Sequence, residues 1–499
     1  MLTKSKYISG QQCNKLLWFK SIRKPPPEEL DEATKDRLKA GEEVGDQAKE
    51  LFPGGIEIEL NRDFEKMAEE TKQAIAAGIN TIYEATFIEE NVLIRVDILN
   101  KIIPDNPFDL NPGWDMYEVK SSSKLKPYHI EDASLQWYVL SKVEGLKINN
   151  AYVVTINSQY VKDGDIDQDK LFTKNNITKE VNDHLGLVPN GINKMQGIIE
   201  GDAEPNTPIG NHCLRPHYCQ YKKLCWEDVK DNSVLKLYRM RSKQKFDLFD
   251  DGYKTFDDIP EDIKLSDIQQ KQITSYLNNK SFIDKNGVKE FIETIEYPVS
   301  YFDFETFQNA VPGFDNQRPY MQMPFQFSLH IQNKPLGELE HFEWICDHKY
   351  DPRKEIAEKM LEWIPSKGTI IAYNQSFEMN CIKELARYNF DLSDELLALN
   401  ERFSDLITPF RLGHYYHPEF KGSFSIKKVL PAVCPNDASL DYNSLNIKGG
   451  GEASLAYKKF DALTEAEIED YRKDLFAYCR LDTLAMVRIL EYLLKKVRP

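Results

Sequence analysis

The spacing of apolar and polar positions changes period repeatedly along the chain. From about Pro27 to Leu51 few breakers interrupt a helical pattern, which stops at the turn signal Pro53-Gly54-Gly55. A second helix is predicted over Asp63–Ala77. Two β-rich runs follow, Thr81–Ile88 and Asn91–Leu99, joined by a Glu-Glu turn, so their separation predicts a hairpin. Trp114–Lys120 reads as a third strand, His129–Val143 as a helix and Asn149–Ile156 as a fourth strand. The predicted order is helix, strand, strand, strand, helix, strand.

Residues 233–295 are charged and helical, with a break at Asp257–Pro260. From Glu296 a second mixed pattern begins with the strand Tyr297–Phe304, passes through the apolar strand Thr369–Tyr373 and closes on a long helix, Glu465–Lys496. The predicted fold class is α/β (α+β), with domains at residues 1–232 and 296–499 and a helical connector at 233–295. No internal repeat appears.

A chain of 499 residues is too long for one ordinary core, which agrees with this division. Its 41% hydrophobic and 29% charged residues are ordinary for a globular protein. No apolar run reaches membrane-spanning length, and MLTKSKYISGQQC carries no apolar signal region, so a cytoplasmic protein with no membrane partner is expected. The net charge of -16 counts against a nucleic-acid partner, since phosphate binding is driven by Lys and Arg. Local stripes soften that objection: Lys120, Lys124 and Lys126; Lys222 and Lys223; and Lys236 to Lys245 with Arg239 and Arg241 between them.

The first candidate site lies on the predicted strands. Asp97 and Glu118 fall at the ends of neighbouring strands, and Lys120 follows Glu118 by two residues, on the same strand face. Two carboxylates suit Mg²⁺ or Mn²⁺, and a lysine beside them can orient an attacking water and stabilise developing phosphorane charge. Glu84 is a candidate supporting ligand, and Asp132 and Gln136 follow on the next helix. The alternative is an ordinary salt bridge at a strand end.

Eight cysteines are unevenly used. Cys346, Cys381, Cys434 and Cys479 are scattered singly and read as buried small hydrophobes. Cys213, Cys219 and Cys225 cluster, and Cys13 answers them from about two hundred residues away, which argues for ligation rather than disulfides. Cys-x₅-Cys-x₅-Cys is not zinc spacing. Four thiolates, one of them remote, suit an iron–sulfur cluster that clips the N-terminal arm to the end of the domain. His212 and His217 leave zinc open.

The second candidate site combines three elements. Asp303 and Glu305 share one face of a strand, Glu378 opens a helix after an apolar strand, and Tyr478 and Asp482 lie four apart on the last helix. Four acids from three elements suit a two-metal centre, with Tyr478 positioning the attacking water. The alternative is a solvated strand edge, but apolar Phe302 and Phe304 flank the pair.

On these residues the first domain resembles the RecB-like branch of the PD-(D/E)XK nucleases that carries an iron–sulfur cluster, as in CRISPR-adaptation and AddAB-type enzymes. The resemblance implies a restriction-endonuclease-like fold, metal held by Asp97 and Glu118, catalytic roles for Lys120 and Gln136, and a [4Fe-4S] cluster on Cys13, Cys213, Cys219 and Cys225. Glu42 or Asp46 would stand in for a histidine that this branch often has on its early helix.

Residues 296–499 are similar to the DEDDy 3′–5′ exonucleases of the RNase H-like fold. That likeness implies metal held by Asp303, Glu305, Glu378 and Asp482, with Tyr478 catalytic and Asp405 matching a downstream motif. The order of the two domains, with Ser425-Ile-Lys-Lys-Val-Leu-Pro431, looks like a bacterial family that fuses such nucleases. A metal-dependent nuclease acting on DNA is expected. A nucleic-acid-binding scaffold with decayed sites and an RNA-directed exonuclease are the alternatives.

Overall fold

The protein is described from a computed structural model, which covers residues 1–22, 25–103, 112–435 and 437–498. It is a mixed α+β structure of two compact units. The first comprises Met1–Glu227 with Asn309–Met321; the second comprises Asp228–Gln308 with Gln322–Pro499. The stretch read as a connector therefore lies within the second unit, where it contributes the helices Ser242–Asp250, Asp267–Asn278 and Lys285–Glu293.

The first unit is built on a seven-stranded sheet. Its main strands are β1 (Thr81–Glu89), β2 (Val92–Lys101), β3 (Trp114–Lys120), β4 (Ile148–Ile156) and β5 (Phe172–Asn176). β1, β2 and β3 run antiparallel in sequence order, β3 and β4 are parallel, and β5 returns antiparallel. Two short strands complete it: Ile56–Glu57 beside β1, and Leu2–Thr3 parallel to β2.

Strand alternation sends Ile82, Met116 and Val153 to one face and Tyr83, Tyr117 and Val154 to the other. The helices α1 (Lys4–Gln12) and α3 (Pro127–Leu140) cover the first face, and α2 (Glu32–Lys49) covers the second with Val44 and Ala48. Asp31 caps α2 by accepting from the Thr34 N–H, which sets its start about five residues later than the pattern predicted. Val119 packs against the α2 face, so Glu118 and Lys120 turn to the face that α1 and α3 cover. Ala310 and Val311, of the returning segment 309–321, join the α2-side core.

The second unit carries a five-stranded sheet in the order β8-β7-β6-β9-β10. The strands are β6 (Val299–Phe307), β7 (Met323–Gln332), β8 (Leu339–Ile345), β9 (Ile370–Ala372) and β10 (Phe403–Asp405). β6, β7 and β8 are antiparallel, whereas β9 and β10 run parallel to β6. Phe302, Phe304, Phe327 and Leu329 pack on one face against the helices Arg353–Trp363 and α4 (Ser376–Tyr388). The opposite face is covered by α5 (Glu465–Val497), so the alternate residues Asp303 and Glu305 point toward that helix.

Phe327 is fully buried against Phe302, Trp344 and Trp363. Replacing it with alanine removes a ring from a close-packed core, and Phe327→Ala should cost about 3–5 kcal/mol. Urea unfolding followed by tryptophan fluorescence should show the loss as a lower midpoint for this unit.

Candidate metal and cysteine sites

The first cluster assembles from β2, β3, α1 and α3. Asp97 and Glu118 stand opposite one another, just beyond the register pair Ile98 and Tyr117. Asp97 Oδ2 accepts the Val119 N–H at 2.6 Å. Glu118, 1% exposed, accepts from Gln136 Nε2 at 2.6 Å, from Lys120, and from Lys4 Nζ at 2.9 and 3.2 Å. Lys120 also donates to Asp132 at 2.8 Å. Gln136 Oε1 is buried with no partner.

Cations are shared unequally among these acids. Burial opposes ionisation of Glu118, but Lys120 and Lys4 overcome it and hold the carboxyl well below the ordinary range. Burial, then the neighbouring Glu118, pushes Asp97 up to about 7. The structure brings together Asp97, Glu118, Lys120 and Gln136, and adds Lys4 and Asp132. Glu84 stands on the adjacent strand with a left-handed φ of 56° and pairs with Arg95 at 3.2 Å. The expectation for Glu42 and Asp46 is corrected: both are exposed, and Asp46 is taken by Lys49, because α2 turns its Val44 and Ala48 side to the sheet.

The four first-half cysteines line one cavity with Leu16, Phe19, His212 and Tyr221, and none is in a disulfide. Burial raises the thiols of Cys13, Cys219 and Cys225. No three of the four sulfurs come within 4.8 Å of one another. A tetrahedral zinc site would bring all four to about 3.8 Å. Gln12 Nε2 fastens the arm to the cluster loop by donating to the His212 and His217 carbonyls, each at 2.8 Å.

The second cluster gathers at a cleft of about 420 Å³ lined by Asp303, Glu305, Tyr373, Lys427, Tyr478 and Asp482. Asp303 and Glu305 lie beside Cys479, their ligand atoms within 4.8 Å of one another; among the described residues no other three His, Cys, Asp or Glu approach so closely. Asp482 accepts from the Tyr442 hydroxyl at 2.5 Å. Glu378 is 3% exposed, and its Oε2 has no partner. Burial, then neighbouring carboxylates, raises Asp303 and Glu305 far above their usual range. Burial raises Glu378 to about 8.

Lys427 is the ammonium that faces this group, 3.4 Å from the Tyr478 hydroxyl. Burial and the adjacent acids hold the proton on Tyr478. Asp405 accepts the Asn374 N–H at 2.8 Å, so its role is to fix the turn before α4 that presents Glu378. Tyr415 and Tyr416, each 1% exposed, are core residues and offer no stacking surface.

Sequence reasoning missed four participants, Lys427 among them. Lys4 and Tyr442 lie far from their partners in the chain. Cys479 follows Tyr478 and read as a packing residue, and only the approach of α5 to β6 brings its sulfur to the acids. Helical spacing from Asp482 was the signal available for Cys479, three residues earlier.

Comparison with known proteins gives a match to part of the chain and no activity. Residues 300–425 match a domain of unknown function (DUF2779), a span that contains Asp303, Glu305, Glu378 and Asp405. An uncharacterised protein, UU173, from Ureaplasma parvum serovar 3 is 28% identical over 309 residues, covering 54% of this chain and 43% of that protein. The uncharacterised MG366 homologue of Mycoplasma pneumoniae is 26% identical over 337 residues, 58% of this chain and 50% of its own. The MG366 protein of Mycoplasma genitalium is 23% identical over 239 residues, 44% and 36% respectively. The chain thus spans half or less of the length of these relatives. No solved structure matches. Among the described residues no helix is long and apolar enough to cross a membrane.

A raised carboxyl favours the folded state only while protonated. Below its unfolded value of 4.5 the Glu378 proton is bound in both states, and that stability is lost as pH rises toward about 8. Metal-free protein should therefore melt at a lower temperature at pH 8 than at pH 5, and Glu378→Gln should flatten that dependence in calorimetry.

Proposed function

We propose that the chain is a metal-dependent nuclease, with a RecB-like site in the first unit and a DEDDy-type 3′–5′ exonuclease site in the second. One observation carries this reading: Glu305, Glu378 and Asp482 are buried beside the half-buried Asp303, and among the described residues lining the cleft Lys427 is the ammonium. Removing several like charges from water without counter-ions is strongly unfavourable, so such a group must bind protons or cations. Oxygen donors from three elements favour hard divalent ions such as Mg²⁺ or Mn²⁺.

Bound divalent ions would supply charge neutralisation at the attacking and leaving oxygens of a phosphodiester. Asp303, Glu305, Glu378 and Asp482 would hold them. Tyr442 fixes the rotamer of Asp482. Tyr478 retains its proton and orients a water in the cleft, while Lys427 both steadies that hydroxyl and, among the described residues lining the cleft, offers the positive group for a phosphate oxygen. In the first unit Lys120 is set to orient water, with Asp132 and Gln136 holding it and Glu118 in place.

DNA is the proposed substrate, with RNA as the competing polymer. The cysteine cavity is proposed to hold a [4Fe-4S] cluster, supported by four free thiols too widely spaced for zinc. A second reading, in which the first unit binds nucleic acid without cutting it, is favoured by the near-complete occupation of Glu118 by donors from the protein itself. Placement in the cytoplasm remains part of the proposal.

Purified protein with end-labelled single- and double-stranded DNA and Mn²⁺ should release short products, with matched RNA as the comparison. Asp97→Ala with Asp303→Ala together should reduce the rate by at least about a hundredfold, since each removes a charge-stabilising group; an unchanged rate would refute the nuclease reading. Protein isolated without oxygen should show a broad absorbance near about 400 nm from the cluster. Cys219→Ser should lose both the band and stoichiometric iron, whereas zinc without iron would overturn that assignment.

A further inference from the structure

We propose that Lys4 is a built-in counter-cation of the first site, and that a divalent ion reaches Glu118 only as the Lys4 ammonium leaves it. This rests on the metal-binding reading of the first unit. The geometry begins with the capacity of one carboxylate, about four acceptor positions. Lys4 contacts both Glu118 oxygens at 2.9 and 3.2 Å, Lys120 takes Oε1, and Gln136 takes Oε2 at 2.6 Å. The donor positions that a metal would use are filled from within the chain.

Lys120 and Gln136 belong to the elements that build the cluster, β3 and α3. Lys4 does not. It comes from 114 residues earlier, on the first turn of α1, and its Nζ also lies 3.9 Å from Asp132. The Lys4 side chain is 26% exposed, so its flexible stem has a route to solvent. The helix itself is anchored at its far end, where Cys13 caps it and Gln12 holds the loop carbonyls of His212 and His217. The mobile part is therefore the side chain rather than the arm.

Asp97 supplies the other half of the argument. Its hydrogen bond comes from a backbone N–H, and among the described residues no ammonium lies in ion-pair contact with it, although Lys4 and Lys120 act on it from farther off. An ion attracted to Asp97 and bridging to Glu118 would meet the Lys4 charge at contact distance. With the acceptor positions of Glu118 already taken by Lys4, Lys120 and Gln136, a further cation there competes with the Lys4 ammonium for the same oxygens. Lys4 thereby keeps the acids neutralised before loading and sets how readily the ion binds.

Mn²⁺ binding, read by electron paramagnetic resonance of free Mn²⁺, tests this in the full chain carrying Asp303→Ala and Glu305→Ala to silence the second site. Adding Lys4→Met should tighten binding by about tenfold or more, because a like charge is removed from the ion's position. Lys4→Arg keeps the charge and should not tighten it. Unchanged or weaker binding in Lys4→Met would overturn the inference.

A second measurement needs no substitution at Lys4. Reductive methylation followed by mass spectrometry should modify Lys4 faster at saturating Mn²⁺ than without metal, and equal rates would also overturn it. Asp97→Ala separates the two levels of argument. If that change leaves Mn²⁺ binding intact, the metal-site reading fails and this inference with it. If it abolishes binding while Lys4→Met alters nothing, the counter-cation role alone fails.

Discussion

Carboxylates held together out of water are the constraint on which both sites turn. Each buried acid prefers to be neutral, and each neighbour of like charge strengthens that preference. A fold that places Asp97, Glu118 and Asp132 in one pocket, and Asp303, Glu305, Glu378 and Asp482 in another, must balance them with protons, ammonium groups or metal ions. Packing alone offers no reason to gather them. The hydrophobic cores of Phe302, Phe327 and Leu329, and of Ile82, Met116 and Val153, would form equally well with apolar residues at those positions.

The two units meet that demand differently. In the first, Lys4 and Lys120 close on Glu118, so its charge is matched internally and its carboxyl stays ionised. In the second, burial favours protons on the acids instead: Lys427 touches Tyr478, and the thiol of Cys479, itself held protonated, lies within 4.8 Å of Asp303 and Glu305. The first site thus carries its counter-charges within the chain, whereas the second answers the burial of its acids by favouring their protonated form.

Secondary structure supplies the precision. The alternation of β6 sends Phe302 and Phe304 into the core and Asp303 and Glu305 under α5, so the acidic pair is held by packing on its opposite face. The capping box at Thr464 and Glu467 starts α5 where Tyr478, Cys479 and Asp482 fall on the side facing β6. In the first unit Cys13 ends α1, and the cysteine loop grips the preceding Gln12. The cysteine cavity therefore also fixes the helix from which Lys4 reaches the acids.

Local pattern was enough for much of this. Trp114–Lys120 was legible as a strand from its own residues, and the hairpin before it from its turn and its β-branched and aromatic content. Asp303 and Glu305 were legible as a pair because period-two spacing is a property of the strand itself. β7 was not legible: Gln326, Ser328, His330 and Gln332 look like a solvent face, yet all ten residues of the strand are buried. α5 covers that face and supplies partners from Leu475, Thr483 and Glu491, leaving the Gln326 Oε1 without one. Lys4 and Tyr442 reach their acids across 114 and 40 residues. Periodicity and spacing record what a segment does with its nearest neighbours. Which distant side chain neutralises a buried charge depends on how helices are laid across a sheet, and only tertiary packing decides that.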